Sequence, residues 1–223
     1  MYGMYGYGYG YGLDPTIILV LIGVALSLWA QGRVNSTFSR YSRVRSMTGM
    51  TGAEAARRLL NAQGIYDVTV QQIAGELTDH YDPRTKTVNL SQSVYGATSV
   101  AAIGVAAHEC GHAMQDNEGY APLRFRSALV PVANFGSSLS WPLILLGLVF
   151  GGLGSPLVEI GILMFSLAVL FQLVTLPVEY NASARAVRLL DAQGILAGEE
   201  VNGTRKVLNA AALTYVAAAA TSI

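Results

Sequence analysis

The segment AAHECGHAMQ, residues 106–115, contains two of the three histidines of this 223-residue chain. His108 and His112 are four residues apart, so on a helix both imidazoles lie on one face and can reach one metal ion. Glu109 is turned aside, where it can meet a water on that metal. HExxH is the spacing of zinc hydrolases, in which the glutamate takes the proton of the attacking water. The alternative is a helix with two packed histidines, but a desolvated His-Glu-His cluster is costly without compensation.

A catalytic zinc needs a third protein ligand and an open position. His80 is the only other histidine, and a carboxylate from another helix is the alternative. Glu179 is the best candidate, because it begins a polar helix that the predicted topology returns to the side of HECGH. Glu159 falls on the opposite side, and Glu118 is too close in sequence to reach around the helix end. Glu179 could instead be a helix-start carboxylate that favours the positive end of the helix dipole.

Two further residues are candidates for stabilising the oxyanion that forms when water attacks a carbonyl. His80 lies on a predicted hairpin that could present its edge to an extended peptide, or it could only hydrogen-bond to Asp79 or Asp82. Tyr215 lies on the last apolar helix, where a tyrosine more often packs with its hydroxyl satisfied. Cys110 is two positions from each histidine of the motif, so it points away from the metal and is interpreted as a packing residue.

The composition indicates a membrane protein. The chain is 52% hydrophobic and only 13% charged, whereas soluble domains carry about 25% charged residues. A formal net charge of zero gives no reason to expect a nucleic-acid partner, and a single cysteine excludes an intrachain disulfide framework. The first residues, MYGMYGYGYGYG, have no helical or strand period and are expected to be disordered or interfacial.

Three apolar stretches are long enough to meet a bilayer: about 15–30, 139–153 and 156–176. Glycines and a proline between the second and third predict a tight turn, and hence a helical hairpin. Four arginines and no acidic residue follow the first stretch: Arg33, Arg40, Arg43 and Arg45. The positive-inside rule therefore places the amino terminus outside and residues 33 to about 135 in the cytoplasm.

The region between the first stretch and the hairpin reads as a small globular unit. Residues 51–64 predict a helix with Thr51 and Glu54 as a capping box and Gly64 at its end. Residues 68–73 predict a strand, 76–91 a β-hairpin and 98–116 the HECGH helix. The remaining chain predicts helices from Pro177 to Gln193 and from Arg205 to near the end. The repeated RLLNAQGI and RLLDAQGI are interpreted as two helix ends with glycine caps rather than a duplication.

These elements divide the chain into segments that form one catalytic unit. They are a Tyr/Gly-rich disordered tail (1–12), a first transmembrane helix (13–31), a zinc-peptidase region with the HECGH helix (32–136), a transmembrane helical hairpin (137–176), and the third-ligand helix with a C-terminal apolar helix (177–223). The predicted fold is a mainly α membrane protein with about three transmembrane helices. A zincin-like helical domain with a small β-hairpin or sheet lies on the cytoplasmic side.

Four segments, HECGH, DHYDPRTKTVNLS, PVEYNASARA and LNAAALTYVAAAA, together resemble the YugP family of neutral zinc metallopeptidases. The likeness covers nearly all of the chain after the Tyr/Gly tract. It implies a bacterial plasma-membrane protein similar in layout to HtpX-like and CAAX-prenyl proteases, in which HExxH meets a glutamate on a later helix. By this resemblance His108, His112 and Glu179 are the metal ligands and Glu109 is the general base. The related proteases carry an aspartate four residues after the ligand glutamate, where this chain has Ser183.

The expected function is that of a membrane-integral zinc endopeptidase with one Zn²⁺ per chain and its active site at the cytoplasmic face. Its substrates would be membrane-associated proteins or peptides, and the short spans suit self-association or a partner membrane protein. One rival is a catalytically inactive scaffold that keeps a structural zinc ion, which the missing aspartate favours. Another is an ion transporter, which is disfavoured because Glu159 is the only ionisable residue of the apolar stretches.

Overall fold

The computed structural model of the protein describes residues 15–152 and 154–221. In chain order the elements are α1 (Pro15–Tyr41), α2 (Gly52–Ala62), β1 (Thr69–Gln72), β2 (His80–Asp82), β3 (Thr87–Leu90), α3 (Gln92–Tyr95), α4 (Val100–Asn117), α5 (Ala121–Gly151), α6 (Pro156–Ala192) and α7 (Glu199–Thr221). The fold is mainly helical with one small sheet, as predicted. The Tyr/Gly tract at 1–12 lies outside the described residues.

The three strands form a sheet in the order β1-β3-β2. β1 is parallel to β3, and β2 is antiparallel to β3, which confirms the predicted strand and the predicted hairpin. The carboxylate of Asp82 accepts a hydrogen bond of 2.9 Å from the backbone N–H of Arg84, and this local bond fixes the start of the hairpin turn. Within the described chain, β2 is an edge strand with no strand on its other side.

The two copies of the repeated octapeptide end their helices in the same way. Thr51 and Glu54 form the predicted capping box at the start of α2. At its end Gly64 has a φ of 71°, and the Ile65 N–H bonds to a carbonyl one helical turn back at 3.0 Å. At the end of α6 Gly194 has a φ of 60°, with the equivalent bond at 2.9 Å. This glycine-capped helix end accounts for the shared sequence.

α4 is the central helix of the globular part and packs against α2, α6, α7 and the sheet. Two glycines allow other helices to approach it closely. Gly104 faces Thr204 of α7, and a Cβ atom on Gly111 would lie 2.6 Å from the carbonyl oxygen of Ala182 on α6. Because only glycine fits at Gly111, this position sets the distance between the HECGH helix and the helix that carries Glu179.

α5 and α6 form the predicted helical hairpin but are longer than predicted. The second apolar stretch was expected from about residue 139, whereas α5 begins at Ala121 and continues through Pro131 and Pro142. α6 passes through Pro177, which was predicted to start a separate helix. Each proline removes one backbone hydrogen bond. The helices stay continuous because they pack closely, with Gly161 of α6 against α5.

The prediction of three membrane spans is wrong for the described residues, in which two helices, α5 and α6, are long and apolar enough to cross a membrane. The apolar part of α1, residues 15–30, is only 16 residues long, short of the roughly 20 that a spanning helix needs. The rest of α1 is polar and continues the same helix to Tyr41. Of the apolar window of α6, 11% is buried inside the protein, which is unlike a soluble core helix.

α1 runs antiparallel to α7, because Gly23 lies against Thr221 while Tyr41 lies against Gly203. α6 and α7 pack together across a short connection, residues 193–198, and therefore also run antiparallel. The apolar first half of α1, the hairpin tip of α5 and α6, and the end of α7 thus lie on one side of α4. The sheet and α2 also pack against α4 and belong to the more polar region between α1 and α5.

Candidate metal centre

Two histidines of α4 and one glutamate of α6 bring their ligand atoms together. The Nε2 atom of His108 is 3.1 Å, and that of His112 3.6 Å, from Oε2 of Glu179. The three ligand atoms lie within 4.8 Å of one another and could hold a metal ion. A tetrahedral zinc with bonds of about 2.0 Å places its ligand atoms about 3.3 Å apart, so the donors and spacing fit zinc. His80, the alternative third ligand, is not in this group.

The other ring nitrogen of each histidine is held by a neutral side chain. Nδ1 of His108 lies 3.1 Å from the hydroxyl of Ser183, and Nδ1 of His112 lies 3.0 Å from Oε1 of Gln115. When Nδ1–H donates to these oxygens, both Nε2 lone pairs face the centre. Ser183, at the position where related proteases have aspartate, therefore contacts Nδ1 of His108. Gln115 makes the equivalent contact with Nδ1 of His112.

Gln115 is fully buried and its amide can be oriented in only one way. Its Nε2 group donates to the backbone carbonyl of Val178 at 2.9 Å and to Oδ1 of Asn181 at 3.0 Å. Both donor hydrogens are thereby used, so Oε1 is left to accept from His112. Asn181 is itself held by Arg185 at 2.7 Å. These hydrogen bonds connect His112, through Gln115, to the backbone of α6 at Val178, one residue before Glu179. They also fix the tautomer of His112.

The electrostatics of the centre favour positive charge. Burial lowers the pKa of His112, but the hydrogen bond to Glu179 and the charges of Glu109 and Glu179 more than offset it and raise the pKa above its ordinary value. A group of carboxylates that stabilises an imidazolium also stabilises a bound cation. Cys110 is buried on the opposite face, with its thiol against the carbonyl of Ala56, and burial raises its pKa. It is the packing residue that was predicted.

Glu109 is buried but is not part of the ligand group. Its position one residue after His108 turns it to the side of the centre. It lines two cavities that meet there. The first, here called the apolar cavity, has a volume of about 290 Å³ and lies between α1, α4 and α7. The second, the hairpin cavity, has a volume of about 160 Å³ and lies between the β2 hairpin and α5.

Comparison with known proteins agrees with the geometry of the centre. Residues 16–223 match the protein family described as "Putative neutral zinc metallopeptidase". The chain belongs to this family. It is 50% identical over 207 residues to the "Putative membrane protease YugP" of Bacillus subtilis (strain 168), which is 93% of this chain and 91% of that protein. No solved structure matches the chain. The resemblance to the zinc metallopeptidase family is confirmed.

His80 and Tyr215, the two oxyanion candidates, both line the hairpin cavity beside the candidate metal centre. His80 lines the hairpin cavity, with Nδ1 2.9 Å from the carbonyl of Thr78 and Nε2 3.2 Å from the amide of Asn89. Both ring nitrogens are thus engaged, although not by the aspartates that were considered. Tyr215 lines both cavities. Burial raises its pKa, and the charge of Glu179 acts in the same direction, so its hydroxyl stays protonated and can donate.

Arg126 of α5 is a residue of the centre that the sequence interpretation missed. Its Nη2 atom is 3.6 Å from Oε1 of Glu179, and its guanidinium lies over the ring of Phe171 at 5.9 Å. Its Nε–H is buried and has no hydrogen-bond partner among the described residues. The signal in the sequence was a basic residue at the start of a long apolar helix, because such residues are costly near a bilayer and are commonly functional.

The hydrogen bond between Gln115 and His112 leads to a test of the candidate metal centre. Replacing Gln115 with leucine removes the acceptor that fixes the His112 tautomer, and we expect zinc affinity to fall about 10- to 100-fold. Competition with a chromophoric chelator measures this change. Gln63→Leu, at an exposed position, is the matched control and should keep wild-type affinity. Equal affinity in the two variants would show that Gln115 does not position His112.

Proposed function

We propose that the protein is a membrane-integral zinc endopeptidase whose active site lies at the cytoplasmic face of a bacterial plasma membrane. The observation that carries this proposal is the convergence of His108, His112 and Glu179 with their Nε2 and carboxylate atoms facing one point. Glu109, outside the ligand group, lies beside that point. A zinc ion bound there would lower the pKa of a water ligand and polarise a substrate carbonyl.

Glu109 is the general base of the proposed reaction. Its carboxylate makes no hydrogen bond or ion pair with the other described residues, so it is free to take a proton. It accepts the proton of the water that attacks the peptide carbonyl and then delivers it to the leaving amine. Glu179 cannot fill this role, because both of its oxygens are engaged by the histidines and Arg126.

Tyr215 and Arg126 are the donors best placed to stabilise the oxyanion. Both side chains line the hairpin cavity. Burial raises the pKa of the Tyr215 hydroxyl, so that it keeps its proton, and the Arg126 guanidinium carries a positive charge and a buried Nε–H without a partner among the described residues. A donor aimed at developing negative charge in a site shielded from water has a large effect on rate. His80 is a weaker candidate, since its ring nitrogens already have partners. The free edge of β2 beside the hairpin cavity suits an extended peptide backbone.

Charge and hydropathy support the membrane arrangement. The sequence has no lysine or arginine between Arg126, at the start of α5, and Arg185, in the last part of α6. By the positive-inside rule, the hairpin tip lies outside and both basic ends lie in the cytoplasm. The metal centre lies at those ends. The apolar half of α1 exposes many of its side chains on the same side as the hairpin and is placed against lipid: Ile18, Leu19, Leu21, Ile22, Val24, Leu28 and Trp29.

Metal removal and return test the proposal. We expect the detergent-purified protein to hold about one zinc per chain and to hydrolyse a casein or quenched-fluorescence peptide substrate. A chelator should abolish hydrolysis, and one equivalent of zinc should restore it, because the metal ion lowers the pKa of the attacking water and polarises the substrate carbonyl. Mass spectrometry of the products distinguishes endoproteolysis from trimming of the ends. Full zinc occupancy without hydrolysis of any peptide would favour a membrane scaffold with a structural metal.

A further inference from the structure

The apolar cavity adjoins the metal centre, because His108, Glu109 and Glu179 are among the residues that line it. Its volume of about 290 Å³ is just below the range of about 300–1,000 Å³ that holds drug-sized ligands. It therefore suits one large side chain better than a folded partner. Its walls are mostly aliphatic and aromatic, and come from α1, α4 and α7: Val34, Phe38, Val105, Leu208, Ala211 and Ala212.

The α7 wall leads directly to the reacting groups. Leu208, Ala211, Ala212 and Tyr215 recur at i, i+3, i+4 and i+7 and so form one face of the helix. Tyr215 is the last residue of that face, and together with Glu109 it lines both cavities. The two alanines in the middle leave the space that a longer side chain would fill. A substrate residue beside the scissile bond would therefore enter between Ala211 and the α1 wall.

The charge of the apolar cavity disfavours an acidic side chain. No lysine or arginine lines it, so an acidic side chain would find no partner. Asp79 also lines it, but its oxygens already accept from Ser91. The backbone N–H of Ser91 donates to Oδ1 at 2.8 Å, and its hydroxyl lies 3.1 and 3.0 Å from the two carboxylate oxygens. Burial raises the pKa of Asp79, which makes it a poorer partner for a basic side chain. Glu109 and Glu179 also line the cavity, but they belong to the metal centre. The walls from α1 and α7 present a mostly apolar surface, which gains from contact with an apolar group.

We propose that the apolar cavity is the specificity pocket of the enzyme and receives a large apolar side chain, such as that of leucine or phenylalanine, from a substrate residue flanking the scissile bond. This inference rests on the proposed endopeptidase function. It goes beyond that function because it names the substrate feature that is selected. It also assigns the selection to Ala211 of α7 and Val34 of α1, which line the cavity and do not contribute to the metal centre.

Two variants that fill the pocket test the inference. The substrates are peptides that carry Leu, Phe, Ala, Lys or Asp at each position flanking one cleavable bond. We expect wild type to prefer Leu or Phe to Ala by about tenfold or more in kcat/KM. Ala211→Leu and Val34→Phe, which fill the pocket from two different helices, should each reduce that preference by about tenfold or more. Ala220→Leu, the same change at an exposed position of α7, should retain it.

Zinc content and melting temperature, measured in every variant, separate a filled pocket from a damaged fold. A wild-type preference for Lys or Asp, or an unchanged Leu-to-Ala ratio in both zinc-replete variants, would overturn the inference. If wild type cleaves no peptide, the proposed function fails, and the pocket is then judged by binding. Leu-containing peptide should still bind zinc-loaded protein more tightly than Ala-containing peptide, and Ala211→Leu should remove the difference. Equal binding would overturn the pocket as well.

Discussion

Glu179→Ala is expected to lose most of its bound zinc, while Glu159→Ala keeps about one zinc per chain. Glu179 is 3% exposed and contributes the only carboxylate of the group formed with His108 and His112. Loss of a residue that only supports a ligand costs about 10- to 100-fold in metal affinity, and loss of the ligand itself should cost more. Two histidines separated by one helical turn would remain, with two of the four tetrahedral positions unfilled by protein.

The comparison with Glu159→Ala controls for removal of a glutamate from the same helix. Glu159 is exposed in the first turn of α6 and is distant in sequence from the centre. Zinc per chain, measured by elemental analysis after desalting, gives the result, and circular dichroism checks that α6 remains helical. Full zinc in Glu179→Ala would exclude this residue as a ligand. His80 would then have to release Thr78 or Asn89 to take its place.

The convergence of His108, His112 and Glu179 was predictable from two features of the sequence. The spacing of His108 and His112 is local, and helix geometry alone puts them on one face. Glu179 was predicted to lie near the histidines because two apolar stretches separate it from them, and a helical hairpin returns the chain to the side from which it left. That argument needed only the α5–α6 hairpin. It therefore held even though the predicted first span was wrong for α1.

The groups around the ligands were harder to predict. Ser183 and His108 are 75 residues apart, and their contact depends on how closely α6 approaches α4. That approach depends on Gly111, whose missing Cβ makes room for the carbonyl of Ala182. A glycine in a helical pattern indicates close packing but not its partner. The contact of Gln115 with His112 could have been predicted from the sequence, because Gln115 is three residues after His112 on the same helix.

The length of α6 was mispredicted because Pro177 was taken as the start of a separate helix, and α5 was predicted only from the start of its apolar stretch, at about residue 139. Pro131, Pro142 and Pro177 all lie inside continuous helices. A proline ends a helix when nothing else holds the chain on either side. Here α5 and α6 pack along each other, and in an apolar environment every backbone group that leaves a helix must find another partner. The packing therefore outweighs the local preference. The glycine-capped ends of α2 and α6 were predicted correctly, because their bonds are local.

Glu109→Gln is expected to keep about one zinc per chain and to lower kcat for peptide hydrolysis by about 10²- to 10⁴-fold, the usual contribution of a general base. Glutamine has nearly the same shape but cannot accept the proton of the attacking water. Zinc should remain, because Glu109 is outside the ligand group. This combination separates a loss of chemistry from a loss of metal, which Glu179→Ala cannot do. Steady-state hydrolysis and elemental analysis of the same preparation measure both quantities.

The control for this substitution is Glu159→Gln, which makes the same change at an exposed position and should hydrolyse peptide at the wild-type rate. Residual activity in Glu109→Gln must also be shown to be sensitive to the chelator, because a contaminating protease without zinc would not be. Undiminished, chelator-sensitive hydrolysis would mean that another group takes the proton. Tyr215 borders both cavities, but it holds its own proton because burial raises its pKa. The general-base mechanism would then have to be abandoned, since no other described carboxylate is free beside the ligand group.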